Sequence, residues 1–288
     1  MAIRTHALPR RRRAATAVIA VVLTAGAFVA IMPFLFMLST SLKTLVETLT
    51  RVNPLPFSPE FWPTAPQWKN YADAWVQASF SLFFRNSLIT AVVTVAGVLA
   101  TSALAAYAFA KMRFAGRHLV FALLLSTLII PETVYLVPNF ILVTRLGWGN
   151  TLAALTVPFM ASAFYIFLLR QFFAQLPDEL IESARIDGAG HVRSFLAIVL
   201  PLSRAPVVTV IFLAFIGSWN SLQWPLVVTR DPKWRPLTVG LTMFISESGP
   251  EWHLRMAGAV IAVAPVVLLY LLAQRQFTEA ISRSGIKG

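Results

Sequence analysis

The chain has 288 residues, of which 57% are hydrophobic and only 12% charged, and its formal net charge is +12. Soluble domains carry about 25% charged residues, and here the apolar residues gather into long runs with a mean hydropathy of +0.71, so the composition predicts an integral membrane protein. The basic balance comes without a face of interleaved aromatics, which excludes nucleic-acid binding, and the lack of cysteine excludes disulfides, thiolate metal sites and cysteine nucleophiles.

Arg10, Arg11, Arg12 and Arg13 precede the first apolar run, residues 14–38. A secretory leader has a shorter apolar region, and this run passes the small residues Ala25, Gly26 and Ala27 without ending. It is therefore read as a first span behind a basic N-terminal segment, residues 1–13, and not as a cleaved leader. The next segment, 42–84, carries Pro54, Pro56, Pro59, Pro63 and Pro66 and predicts irregular structure with one short helix near 71–77. Its Trp62, Trp68 and Trp75 suit either a membrane interface or a ligand contact.

A crossing needs about 20 mostly apolar residues. Five more runs meet that length: 87–110, 118–143, 151–169, 205–228 and 254–273. No period-two alternation appears, so all six are predicted helices in an all-α domain spanning 14–275. The third holds Pro131, Glu132 and Pro138 and is expected to be kinked or broken. Six spans put both termini on one side. That side carries fifteen of the 24 Lys and Arg residues on shorter loops, which predicts a multi-pass membrane protein with both termini cytoplasmic.

The segment 177–203, between the fourth and fifth spans, then faces the cytoplasm. Pro177, Asp178 and Glu179 form a helix start and Gly188 with Gly190 a stop. On that short helix Leu180, Ile181 and Ala184 share an apolar stripe, while Glu179, Glu182 and Ile186 face the other way. A second helix, 191–199, places Val192, Phe195, Leu196 and Val199 on one face, with Pro201 ending it. An isoleucine ringed by acids fits a protein contact, and a solvated re-entrant loop accounts for the charges equally well.

Five residues are candidates for a transport path. Glu132 is the one acid inside a span, so it is either a gate or a hydrogen-bond partner for backbone freed by Pro131. Asn139 lies on the same run. Asn220 and Gln223, three apart in the fifth span, suit sugar hydroxyls or helix–helix bonding. Trp219 suits sugar stacking or an interface anchor. The histidines, His6, His118, His191 and His253, fall at loops or span ends, and no metal site or catalytic set is expected. No phosphate-loop sequence occurs, so this chain is not expected to bind ATP by that route.

The loop carries a recognisable pattern. Glu182-Ser183-Ala184, Asp187-Gly188-Ala189 and then Ile198, Leu200 and Pro201 resemble the EAA loop of binding-protein-dependent ABC importer permeases. That pattern reads E-A-A-x-x-x-G, nine residues, then I-x-L-P; Ser183 replaces an alanine. The stretches at 86–88, 106–110, 167–173 and 219–226 are similar to the sugar, maltose-type permeases. The tail 276–288, ending in Gly285, Ile286, Lys287 and Gly288, resembles the one that such a permease inserts between its ATPases, with Ala280 in place of a glycine.

The resemblance implies a transport subunit without enzymatic activity. It implies a separate ABC ATPase dimer, which binds the ATP and magnesium and whose groove receives the loop, with Glu182 pairing a basic residue and Ala184 and Ile186 giving apolar contact. It also implies a second six-span permease subunit completing the path and an extracytoplasmic solute-binding protein. A self-sufficient secondary carrier or channel, with Glu132 as its proton or ion site, is the alternative; the absence of an internal repeat and the charge-poor spans speak against it.

Overall fold

A computed structural model describes residues 10–50, 58–77, 79–247 and 251–284. The tail residues Gly285, Lys287 and Gly288 lie outside them. In chain order the helices are α1 (Arg10–Ser41), α2 (Leu45–Thr50), α3 (Lys69–Gln77), α4 (Phe80–Lys111), α5 (Arg117–Ser126), α6 (Glu132–Arg145), α7 (Leu152–Thr156) and α8 (Ala163–Gln175). There follow α9 (Glu179–Ile186), α10 (His191–Ser194), α11 (Leu200–Leu202), α12 (Arg204–Trp219), α13 (Gln223–Val228), α14 (Leu237–Glu247) and α15 (Trp252–Ser284). No strand occurs among the described residues.

Among the described residues, three helices are long and apolar enough to cross a membrane: Thr16–Ser41, Phe80–Lys111 and Trp252–Gln274. Three further pairs meet the same test only as bent combinations. Arg117–Ile129 and Glu132–Arg145 meet at 100°, at the break expected around Pro131. Leu152–Phe159 and Ala163–Gln175 meet at 46°, a break that the sequence reading of 151–169 as one helix missed. Pro158 there cannot donate to the helix ladder, and a short 3₁₀ turn, Val157–Phe159, replaces it. The third pair, His191–Leu202 and Arg204–Trp219, turns by 84° at Ser203. Counting each bent pair as one gives up to six crossings.

The helical continuity predicted for 205–228 is also interrupted. α12 ends at Trp219 and α13 starts at Gln223, with Asn220 capping the first through its N–H to the Ile216 carbonyl at 3.0 Å. At the other end of the chain, α15 runs past the expected boundary at 275 to Ser284.

The chain divides into two compact units, Met1–Trp75 with Ile245–Ile261 and Val76–Phe244 with Ala262–Gly288. In the first, α1 presents exposed apolar side chains such as Val18, Val22 and Val29. Its end enters a polar knot. Asn70 Nδ2 donates to the Ser41 and Lys43 carbonyls at 2.8 Å each, Ser41 Oγ and Tyr71 Oη are 2.7 Å apart, and buried Lys43 donates to the Glu60 carbonyl at 2.9 Å. Ser39 Oγ donates to the Phe61 carbonyl.

The second unit is built on α4, packed between α8 and α12. Its buried face reads Asn86, Thr90, Thr94, Val98, Ser102 and Ala106, one residue every four. Small side chains on such a face let helices approach closely in lipid. Gly97 shows how closely: a Cβ there would fall 2.3 Å from Met160.

Candidate functional site

Residues 177–203 hang on the end of α4. Asp178 occupies the N-cap position of α9, yet its carboxylate makes no cap bond. It is held instead by Lys111 Nζ at 2.6 Å, and the same ammonium donates to the Leu176 carbonyl at 2.5 Å. The Lys111 side chain is 3% exposed and that of Asp178 70%, so the pair is a half-buried clamp between α4 and α9. The hydrogen bond and charge of Lys111, with Arg113 adding to them, hold the Asp178 carboxyl below its ordinary range.

A second anchor is apolar. Ile181 is buried in the cluster that also contains Tyr107, Phe173, Phe195 and Val199. The Tyr107 ring lies 5.3 Å from that of Phe195 and 6.4 Å from that of His191, while Arg185 Nη2 sits 3.3 Å from the His191 nitrogens. α9 and α10 are therefore tied both to α4 and to each other.

α9 closes as its glycine requires. Gly188 has φ +79°, its N–H donates to the Arg185 carbonyl at 3.0 Å, and the Ala189 N–H reaches the Ala184 carbonyl at 2.8 Å. This is the Schellman arrangement, whose left-handed residue favours glycine. Five residues beyond Ile181, and so about 140° around the helix, Ile186 points away from the bundle and is 87% exposed. Glu182 and Asp187 are exposed beside it, and Ala184 is half-buried.

The two halves of the loop meet over a cavity of about 180 Å³ lined by Ala184, Asp187, Ala189, Arg193, Ala197 and Ile198. The structure thus brings Ala184 and Asp187 to Ile198. Leu200 is half-buried and Pro201 exposed.

Some expected faces differ. Leu180 is exposed and does not share the buried stripe, and Val192 and Leu196 are exposed although Phe195 and Val199 are buried. The second helix is α-helical only to Ser194. Phe195–Val199 forms a π turn, in which the Leu200 N–H reaches back to the Phe195 carbonyl, and α11 carries the helix through Pro201 to Leu202. A proline ring crowds the carbonyl four residues earlier, and the widened turn sits directly before it. Widening also shifts which side chains face inward: Leu196, inside the π turn, is left exposed while Phe195 and Val199 stay buried.

The path candidates are scattered. Glu132 is exposed at the first position of α6, and Asn139 is half-buried two turns further along the same helix. Trp219 is buried: Nε1 donates to the Ala262 carbonyl at 3.0 Å, and its ring stacks on Phe215 and meets Phe84 edge-on. Its aromatic surface is used inside the unit. Asn220 and Gln223 are exposed but do not share a continuous helix face, because the helix stops between them. Trp224 is likewise interior, with Nε1 on the Ala154 carbonyl at 2.8 Å. Among the described residues no cluster of His, Asp and Glu is arranged to hold a metal.

Sequence reasoning missed Lys111, which entered it only as one basic residue among many. Arg170 was missed in the same way; its guanidinium lies 4.3 Å from the centre of the Phe121 ring and links α8 to α5.

Residues 97–283, covering α9 and the whole loop, match the model of the binding-protein-dependent transport system inner membrane component family. The chain belongs to that family. It is an all-helical inner-membrane permease subunit of an ABC importer. It is 38% identical over 222 residues to the sn-glycerol-3-phosphate transport system permease protein UgpE of Yersinia enterocolitica, a match covering 74% of this chain and 79% of the relative. The protein of that name from Pectobacterium atrosepticum is 35% identical over 227 residues, covering 76% and 81%. In fold, the chain superposes with a TM-score of 0.81 at 23% identity on a solved bacterial ABC transporter involved in the import of the acidic polysaccharide alginate, covering 94% of this chain and 99% of that one.

Proposed function

We propose that this permease forms half of a translocation path for a sugar, polyol or polyol phosphate, crossing the membrane six times with both termini cytoplasmic. Residues 177–203 lie on the cytoplasmic face and enter a groove of a separate ATPase dimer. A second six-span permease completes the path, and an extracytoplasmic binding protein delivers the solute.

One observation carries the coupling role. Ile186 is 87% exposed on a helix fixed to the bundle by Ile181 and by the Lys111–Asp178 clamp. A large apolar side chain held out from an anchored helix fits the apolar centre of a protein interface. Glu182 beside it supplies a charge for a basic partner. Closure of the ATPase dimer pulls on α9, and the clamp passes that displacement to α4, biasing the bundle between two arrangements. ATP and magnesium act on the partner.

The substrate class draws on the relatives named for sn-glycerol 3-phosphate. Glu132, Asn139, Asn220 and Gln223 are the path residues to examine, and Glu132→Gln is expected to abolish uptake if that carboxylate is a gate. The decisive experiment is uptake of labelled sn-glycerol 3-phosphate by cells carrying Glu182→Lys. The expected result is loss of uptake with the chain still in the membrane; uptake at the normal rate would remove the coupling role. Absence of uptake in cells carrying the unaltered chain would move the substrate to another sugar-like solute.

A further inference from the structure

A second cavity, of about 630 Å³, lies on the other side of α9. Its wall combines Lys111, Arg113 and Arg117 from the turn between α4 and α5 with Glu182, Arg185 and His191 from the loop. Asp178 also borders it, and Lys111 is engaged with that carboxylate at 2.6 Å. Arginine and lysine therefore outnumber carboxylates four to two around one pocket. Arg117 Nη1 donates to the Met112 carbonyl at 3.1 Å, which fixes its guanidinium at the pocket wall.

The position of this pocket identifies its depth. α4 has 32 residues, a length of about 48 Å at 1.5 Å per residue, against a hydrocarbon core of about 30 Å. Its end at Lys111 consequently reaches the headgroup layer. α5 starts at Arg117, on the pocket wall, and then presents exposed Leu119, Val120 and Leu123. Cations at headgroup depth thus adjoin an exposed apolar helix surface. That combination suits an acidic phosphate with acyl chains attached, whereas a soluble anion has no use for the apolar part.

We propose that this pocket holds the phosphate of an anionic phospholipid, whose acyl chains run along α5. The bound phosphate bridges the α4–α5 turn to α9, adding an ionic tie to the clamp made by Lys111. The assignment rests on α4 crossing the membrane and is independent of the coupling role of Ile186, which does not line the pocket.

The test uses the assembled transporter purified in mild detergent, with retained phosphatidylglycerol counted by native mass spectrometry during a lipid titration. The unaltered complex is expected to retain phosphatidylglycerol in preference to phosphatidylcholine. The double variant R113Q/R117Q is expected to bind it about thirtyfold more weakly, each basic residue at a lipid surface contributing about fivefold, and R113K/R117K to bind it nearly as well as the original. Arg204→Gln, at an exposed arginine opening α12, leaves binding unchanged.

Equal loss in the Arg204 variant would overturn the site in favour of diffuse attraction. Lack of preference between the two lipids in the unaltered complex would overturn it without any variant needing to fold. Displacement of the lipid by millimolar inorganic phosphate would reassign the pocket to a soluble anion. Loss of the ATPase from R113Q/R117Q with lipid retention unchanged would make it a protein contact. Ile186→Asp separates the two readings: it removes the ATPase if coupling is correct and leaves lipid binding intact in either case.

Discussion

Two regions of this chain bury a lysine, and they use it differently. In the segment leading from the end of α1 to α4, Lys43 is 2% exposed, donates to a backbone carbonyl, and sits among Ser41, Asn70 and Tyr71 in a net of hydrogen bonds. At the far end of α4, Lys111 reaches a carboxylate that is itself mostly in water, at the start of a helix whose last residue, Ile186, is held out from the bundle. The first arrangement uses its polar groups to fix one backbone conformation. The second fixes only the base of a helix and leaves its tip for another surface. Burial of charge thus marks a scaffold in one place and, under the proposed coupling role, a joint in the other.

The comparison can be broken most directly at Ile186. Ile186→Asp should lower ATP-driven uptake about thirtyfold or more, as truncating a central interface residue does, while the melting midpoint of the purified chain moves little, since exposed substitutions stay within about 0.5 kcal/mol. A large drop in that midpoint would place Ile186 in the scaffold.

Asn70→Ala is the converse. It strands two backbone carbonyls that Asn70 now bonds, and should cost about 2–3 kcal/mol, read as a lower thermal midpoint, with the ATP dependence of residual uptake unaltered. Lys111→Met should show both effects. Loss of a charge-assisted bond to a mostly solvated carboxylate should cost about 1–2 kcal/mol, and coupling should weaken because α9 loses one of its two anchors. Stability loss without a coupling defect would leave Ile181 as the sole mechanical link.

Gly188→Ala tests the end of α9. A Cβ there meets open space, so only the left-handed backbone is penalised, by about 1 kcal/mol. Gly188→Asn should recover part of that loss in a thermal melt.

Acid acts on both regions at once. Burial pushes Glu47 up, but bonds from Thr44 and Thr64 outweigh it and hold the carboxyl at about 2, against an ordinary 4.5. A depressed carboxyl contributes stability that is complete above its unfolded value and fades as pH falls through its folded one. The scaffold should therefore loosen between about pH 4.5 and 2. Asp178 is depressed in the same sense by Lys111, so Lys111→Met should flatten its share of the acid transition, and an unchanged pH profile would deny the clamp any energetic role.

Much of the joint was legible in the residues. Asp178 and Glu179 against the glycine pair bounded α9, and the alternation of Ile181 with Glu182 and Ile186 told which side would face out. Leu180, Val192 and Leu196 misled, because an apolar side chain on a short helix signals burial only if the bundle has a surface within reach. A helical wheel drawn at 100° per residue also has no place for a π turn.

Composition and run length by themselves determined that this is a helical membrane protein, since lipid leaves the backbone no partners but its own. The spacing around Glu182, Gly188 and Pro201 determined its family. Tertiary structure alone decided that Trp219 and Trp224 turn inward, and that Lys111 meets Asp178 across 67 residues. Each of these depends on which carbonyl or carboxylate a distant helix brings within about 3 Å, and no local pattern carries that distance.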